Sequence, residues 1–174
     1  SRLRDERRKT KESPSGFLEA RCSATLKISE LATALPFDYP CADFPTGEEN
    51  PLATPYTSLI LDLRGKGYAP VLFPSVFDQE GLEIYGRRYV TMRDACSKGL
   101  VRWSFDEKSA RTMKAAGEHP YYTTPVSMLG GSPVLSRTDA RKLLAHHSTI
   151  EKLRHCAVIF IIDTPGKKKE GARR

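Results

Sequence analysis

Two aspartates close the two most apolar runs of the chain. Asp62 lies in Ser58–Leu63 (SLILDL), and Asp163 follows Ala157–Ile162 (AVIFII). If these runs are neighbouring strands, two carboxylates share one sheet end, the arrangement that general acid–base catalysis requires. An Asp in that position also caps turns or pairs with arginine, and Arg64 is two residues from Asp62. A second donor set is His147, Glu151 and His155, four residues apart and so on one helix face, with His146 and Cys156 beside them. Such donors suit a transition metal and a metal-dependent hydrolase. The HExxH spacing is absent. A Glu between two His residues is also an ordinary surface pairing, and a His near a helix end is favoured by the helix dipole.

Other local patterns lead away from chemistry. Arg64-Gly65-Lys66-Gly67 follows a strand, but it has neither the GxxxxGK[ST] nor the GxGxxG spacing, and no helix opens there to offer amides to a phosphate. A tight turn explains both glycines. Gly130-Gly131-Ser132-Pro133 is not a nucleophile elbow. Tyr121-Tyr122 lacks the spacing of an RNA-recognition sheet. No cofactor is expected.

The elements that position these residues read as β, ββ, α, ββ, α, β. Phe17–Ile28 alternates with period two, as an amphipathic strand does. Five prolines between Pro36 and Pro55 make an extended leader, pinned by Phe37, Tyr39 and Phe44. Ser58–Leu63 is a buried strand. Tyr68–Phe77 is a second, confined by Pro70 and Pro74 to an edge or bulge. Asp78-Gln79-Glu80-Gly81 is a hairpin loop with Gly81 at positive φ, and Leu82–Val90 returns as a third strand. One helix is predicted from a Thr91 cap to Gly117, and a second from about Thr138 to His155, capped by Ser136 or Thr138. Short strands lie at 126–129 and 134–135. The run 157–162 reads as a central strand covered on both faces. The fold class is α+β: a mixed β-sheet of about five to six strands with two helices packed on one face.

Charge divides the chain further. Residues 1–16 hold six Lys/Arg and three Asp/Glu, residues 164–174 hold five and one, and residues 17–163 hold seventeen of each. The organisation expected is a disordered basic tail at 1–16, a strand plus Pro-rich leader at 17–55, an α+β domain at 56–163 and a disordered basic tail at 164–174. The tails can touch an anionic surface, which makes a nucleic-acid- or anion-binding module the alternative function. No apolar run is long enough to span a bilayer, and the first residues lack a signal-peptide apolar region. Cys22, Cys41, Cys96 and Cys156 have no CxxC spacing, so a zinc site from them is not expected. Disulfides and buried free thiols both remain open.

The stretch Tyr56–Gly86 carries a resemblance. Tyr56, Thr57, Asp62, Arg64, Gly65, Gly67, Pro70, Pro74, Asp78, Gly81, Glu83, Ile84, Tyr85 and Gly86 stand in a fixed order of strands and glycine turns. Downstream, His119-Pro120 and the run from Cys156 to Asp163 continue it. This order resembles poorly characterised envelope proteins of Gram-negative bacteria and spirochaetes related to the flagellar outer-membrane lipoprotein FlgP. It covers about Tyr56 to Asp163. Ser58 and Leu63 depart from the pattern, which has Gly and Ala there. The resemblance implies turn-forming roles for Asp62, Arg64, Gly65, Gly67, Asp78, Gly81, Tyr85 and Gly86, and no catalytic residue. It implies a non-enzymatic, periplasmic or outer-membrane-associated protein. Such a protein acts through contacts with envelope or flagellar-motor proteins or by self-assembly, with exposed edges of the Pro-bearing strand as the pairing surface.

Overall fold

The computed structural model describes residues 4–12, 18–25, 38–45, 50 and 52–164. The chain forms two units, Ser1–Phe37 and Asp38–Arg174.

In the first unit, β1 (Arg4–Glu12) pairs antiparallel with β2 (Leu18–Thr25), with a register irregularity between Arg4 and Arg7. The expected strand is β2. The segment expected to be disordered instead supplies its partner. Strand pairing is a backbone bond, which a charge-rich composition does not forbid. Residues 26–37 and the basic tail from 165 onward lie outside the described residues.

The second unit is built on two four-stranded sheets. The first runs β6 (Arg102–Ser104), β10 (Val158–Ile161), β3 (Ser58–Asp62), β7 (Pro120–Thr123), all parallel. The second runs β5 (Glu83–Tyr85), β4 (Val76–Asp78), β9 (Ser132–Leu135), β8 (Ser127–Leu129) and is mixed. Among the described residues four α-helices accompany them: α1 (Met92–Lys98), α2 (Glu107–Thr112), α3 (Arg137–Leu144) and α4 (His147–Arg154). The class is α+β, with the strands divided between two sheets rather than gathered in one.

Parity explains the core. Leu59, Leu61 and Leu63, with Val158, Phe160 and Ile162, face a large cluster that includes Val76, Ile84, Tyr85, Leu135, Leu143 and Leu153. Ile60, Ile159 and Ile161 face the opposite way and pack with Ala110 and Ala116. Strand β10 is thus central and covered on both faces, as its unbroken apolar run requires. Phe44 of the Pro-rich leader is buried and stacks on Tyr89, with ring centroids 4.6 Å apart.

Both long helices of the sequence reading are broken. The first ends at Gly99, whose φ of 76° suits glycine. Arg102–Ser104 then extends to pair with β10, and Asp106 caps a fresh helix by accepting from Ser109 N. Helical spacing over 92–113 hid a strand because its three residues add little to either period. The second breaks at Ala145–His146. There His146 Nδ1 accepts from Ser148 N at 3.2 Å and starts α4. The caps expected at Thr91 and Ser136 are present, accepting from Asp94 N and Asp139 N. The Pro-bearing strand is shorter than expected. Pro70 and Pro74 lie before it, and β4 is internal, between β5 and β9, so it offers no free edge.

Candidate functional site

Strands β3 and β10 are neighbours, so Asp62 and Asp163 do share the carboxyl end of the parallel sheet. Both are occupied. Asp62 Oδ1 accepts from Arg64 N at 3.1 Å and Arg64 Nε at 2.9 Å. Its Oδ2 accepts from Arg64 Nη2 at 2.5 Å and from the Tyr122 hydroxyl at 2.6 Å. The bond from Arg64, helped by Tyr122 and working against burial, holds the Asp62 carboxyl at about 2. Asp163 Oδ2 accepts from Gly65 N at 2.9 Å. Gly65 and Gly67 take φ of 73° and 68°, so the RGKG turn is a left-handed corner tied down at both ends. A carboxylate that stays ionised and saturated with donors is a poor proton carrier near neutral pH. The guanidinium that a phosphate would need is engaged by Asp62.

The second turn is likewise structural. Asp78 Oδ1 accepts from Glu80 N and Leu82 N at 2.9 and 2.8 Å, and Gly81 has φ of 80°. The Tyr85 hydroxyl, fully buried, donates to Leu100 O at 2.5 Å. At Gly86 an added Cβ would lie 2.2 Å from Glu83 Oε1 and 2.9 Å from Ser75 Oγ. Glycine there lets the Ser75–Glu83 bond of 2.6 Å form against the backbone.

The metal candidates are placed on α4 and just beyond it. His147 opens the helix, Glu151 meets Arg154 at 3.4 Å, and His155 caps the helix end. His155 Nδ1 lies 2.9 Å from Asp94 Oδ2, whose other oxygen takes Lys98 at 2.5 Å. Burial opposes the charge on Asp94, but bonds from Lys98, His155 and Thr91 outweigh it and bring that carboxyl to about 2. Among the described residues no group of three or more His, Cys, Asp or Glu is arranged to hold a metal ion.

The β8–β9 hairpin carries no recognisable motif, yet it presents a distinct surface. Tyr121–Ser136 contains no charged residue, in a chain where 28% of residues are charged. Strand β8 ends its sheet, so its outer backbone edge is unpaired within that sheet. Val126, just before it, and Leu129, its last residue, are 50% and 53% exposed. Pro125, Val134 and Leu135 point inward, and Val126 N bonds Val134 O at 2.9 Å, so the hairpin is firmly seated. The signal was available as a gap in charge rather than as a motif.

Residues 58–164 match the family defined by the second domain of Treponema pallidum Tp0624. The chain belongs to that family. No curated protein matches it. The match to the Tp0624 second domain begins at the first residue of β3 and ends three residues past β10. It therefore contains both four-stranded sheets, helices α1 to α4 and the β8 edge. The β1–β2 unit and the Pro-rich leader lie outside it. The turn residues Asp62, Arg64, Gly65, Gly67, Asp78, Gly81, Tyr85 and Gly86 all fall within the Tp0624 second-domain match, where they hold the framework together.

Proposed function

We propose that this chain is a non-enzymatic cell-envelope protein, periplasmic or associated with the outer membrane, that works through protein–protein contacts made at the outer edge of β8. A second copy of the chain is the partner, pairing β8 with β8 about a two-fold axis; an association with the flagellum is part of the same reading. The uncharged, partly apolar edge at Val126–Leu129 carries it. Natural sheets protect free edges with lysine, inward charge, proline or a very short strand; β8 is short and follows Pro125, but it carries no charge. Self-pairing of one edge closes as a symmetric dimer. The envelope setting rests on the order of turns, which resembles that of envelope proteins of Gram-negative bacteria and spirochaetes.

The test is cross-linking in native cells followed by fractionation. The reading expects a cross-linked dimer in the periplasmic or outer-membrane fraction, lost in a Val126→Lys/Leu129→Lys variant that still folds. Recovery as an uncross-linked cytoplasmic protein would overturn it.

A further inference from the structure

At the end of the parallel sheet opposite to Asp62, a groove of about 790 Å³ opens at the amino ends of the strands. Its rim carries Lys98, Arg102, Lys114 and Lys152, its floor includes Met113 and Cys156, and Glu118 is the carboxylate in its lining. This four-to-one excess of cations stands out against residues 17–163, which carry seventeen of each sign.

Part of the excess has a local cause. Lys98 and Lys152 lie in the last turns of α1 and α4, where cations offset the helix dipole. Lys98 is paired with Asp94, and Arg102 reaches Gly99 O at 3.5 Å. Lys114, next to the C-cap Met113 of α2, lies at that helix's carboxyl end too, but the cause does not extend to Arg102, which opens β6. Lys114 and Lys152 are exposed and pair with no carboxylate among the described residues. A concave, predominantly cationic lining focuses potential onto whatever enters it, and the volume falls in the range of small-molecule sites.

We propose that this groove binds a small organic anion, a phosphate or carboxylate on a short apolar stem. The anionic group meets Lys114, Lys152 and the Arg102 fork, and the stem lies along Met113 and Ala115. Cys156 is almost wholly buried, and burial pushes its thiol to about 11, so it offers no thiolate to a bound ligand. This site is separate from the β8 edge, and either stands without the other.

Calorimetry on the full chain tests it with octyl phosphate below its micelle concentration, inorganic phosphate and octyl glucoside. We expect octyl phosphate to bind, inorganic phosphate to bind more weakly and octyl glucoside to give no heat of binding. A Lys114→Ala/Lys152→Ala variant should weaken octyl phosphate roughly tenfold or more, with an unchanged circular dichroism spectrum and melting temperature. Both side chains are exposed, so the fold does not depend on them. Co-sedimentation with phosphatidylglycerol vesicles, lost in the same variant, assigns the anion to a lipid headgroup. Binding of octyl phosphate without vesicle association assigns it to a free organic anion. Equal affinity in the double variant, which keeps every terminal lysine and arginine, overturns the proposal, as does failure of octyl phosphate to bind.

Discussion

The Tyr122 hydroxyl on β7 donates to Asp62 Oδ2 on the neighbouring strand β3 at 2.6 Å. That bond joins the edge strand of the parallel sheet to the turn that leaves its centre. With Arg64 on the same carboxylate, one acidic side chain secures two strands and a loop.

Acid unfolding reports this bond. The Asp62 carboxyl lies at about 2 in the folded chain, against an ordinary value of 3.8. The unfolded chain therefore binds its proton first as pH falls. The stabilisation is fully present above about pH 4 and is lost between about 4 and 2. Such a shift corresponds to about 2–3 kcal/mol, and solvent around Arg64 reduces it to about 1–2 kcal/mol. Asp62→Asn should lower stability at pH 7 by that amount and flatten its decline between pH 4 and 2, and Tyr122→Phe should cost about 1 kcal/mol. Urea titrations across pH measure both. An unchanged pH slope in Asp62→Asn would show that the carboxylate is not held as described.

Two glycines with similar φ separate strain from crowding. A Cβ at Gly81 meets nothing within 4 Å, whereas one at Gly117 comes within 2.6 Å of Thr57 Cβ and Oγ1. Thr57 Oγ1 cannot retreat freely, since it donates to Ala116 O at 2.6 Å and accepts from His119 N at 3.0 Å. Gly81→Ala should cost about 1 kcal/mol, and Gly117→Ala about 2–4 kcal/mol. Equal denaturation midpoints would contradict the close approach of Thr57.

Alkylation distinguishes the thiols. Cys41 is exposed and Cys156 is buried. In the native protein at pH 8, iodoacetamide should modify Cys41 readily. It should modify Cys156 at least roughly a hundredfold more slowly than in the unfolded chain. Mass spectrometry of a time course reads this directly. Rapid native labelling of Cys156 would mean that its strand end opens.

The sequence revealed elements where pattern and punctuation agreed. Ser58–Leu63 and Ala157–Ile162 were legible as strands because both faces are buried, and Asp78–Gly81 as a hairpin because its turn chemistry is local. The pairing of Asp62 with Arg64 was legible from their spacing, and the neighbourhood of Asp62 and Asp163 followed once the two runs were taken as adjacent strands, but it was not legible that Tyr122 and Gly65 would complete the two carboxylates' partners. Tyr122 is sixty residues from Asp62, and only the parallel register brings them together. β6 was missed because three residues inside an apparent helical period carry too little signal. The left-handed Cys156, with φ of 61°, was missed because its conformation is set by the helix-to-strand connection around it. The basic groove was invisible for a similar reason: Lys98, Arg102, Lys114 and Lys152 meet only when the amino ends of the parallel strands are aligned.

The most direct measurement of how this protein works is sedimentation velocity of the full chain over a hundredfold range of concentration, beside the Val126→Lys/Leu129→Lys variant. Contact through the β8 edge requires a concentration-dependent dimer in the unmodified chain and a monomer throughout in the variant. A monodisperse monomer in both, at the highest concentration, would contradict the account.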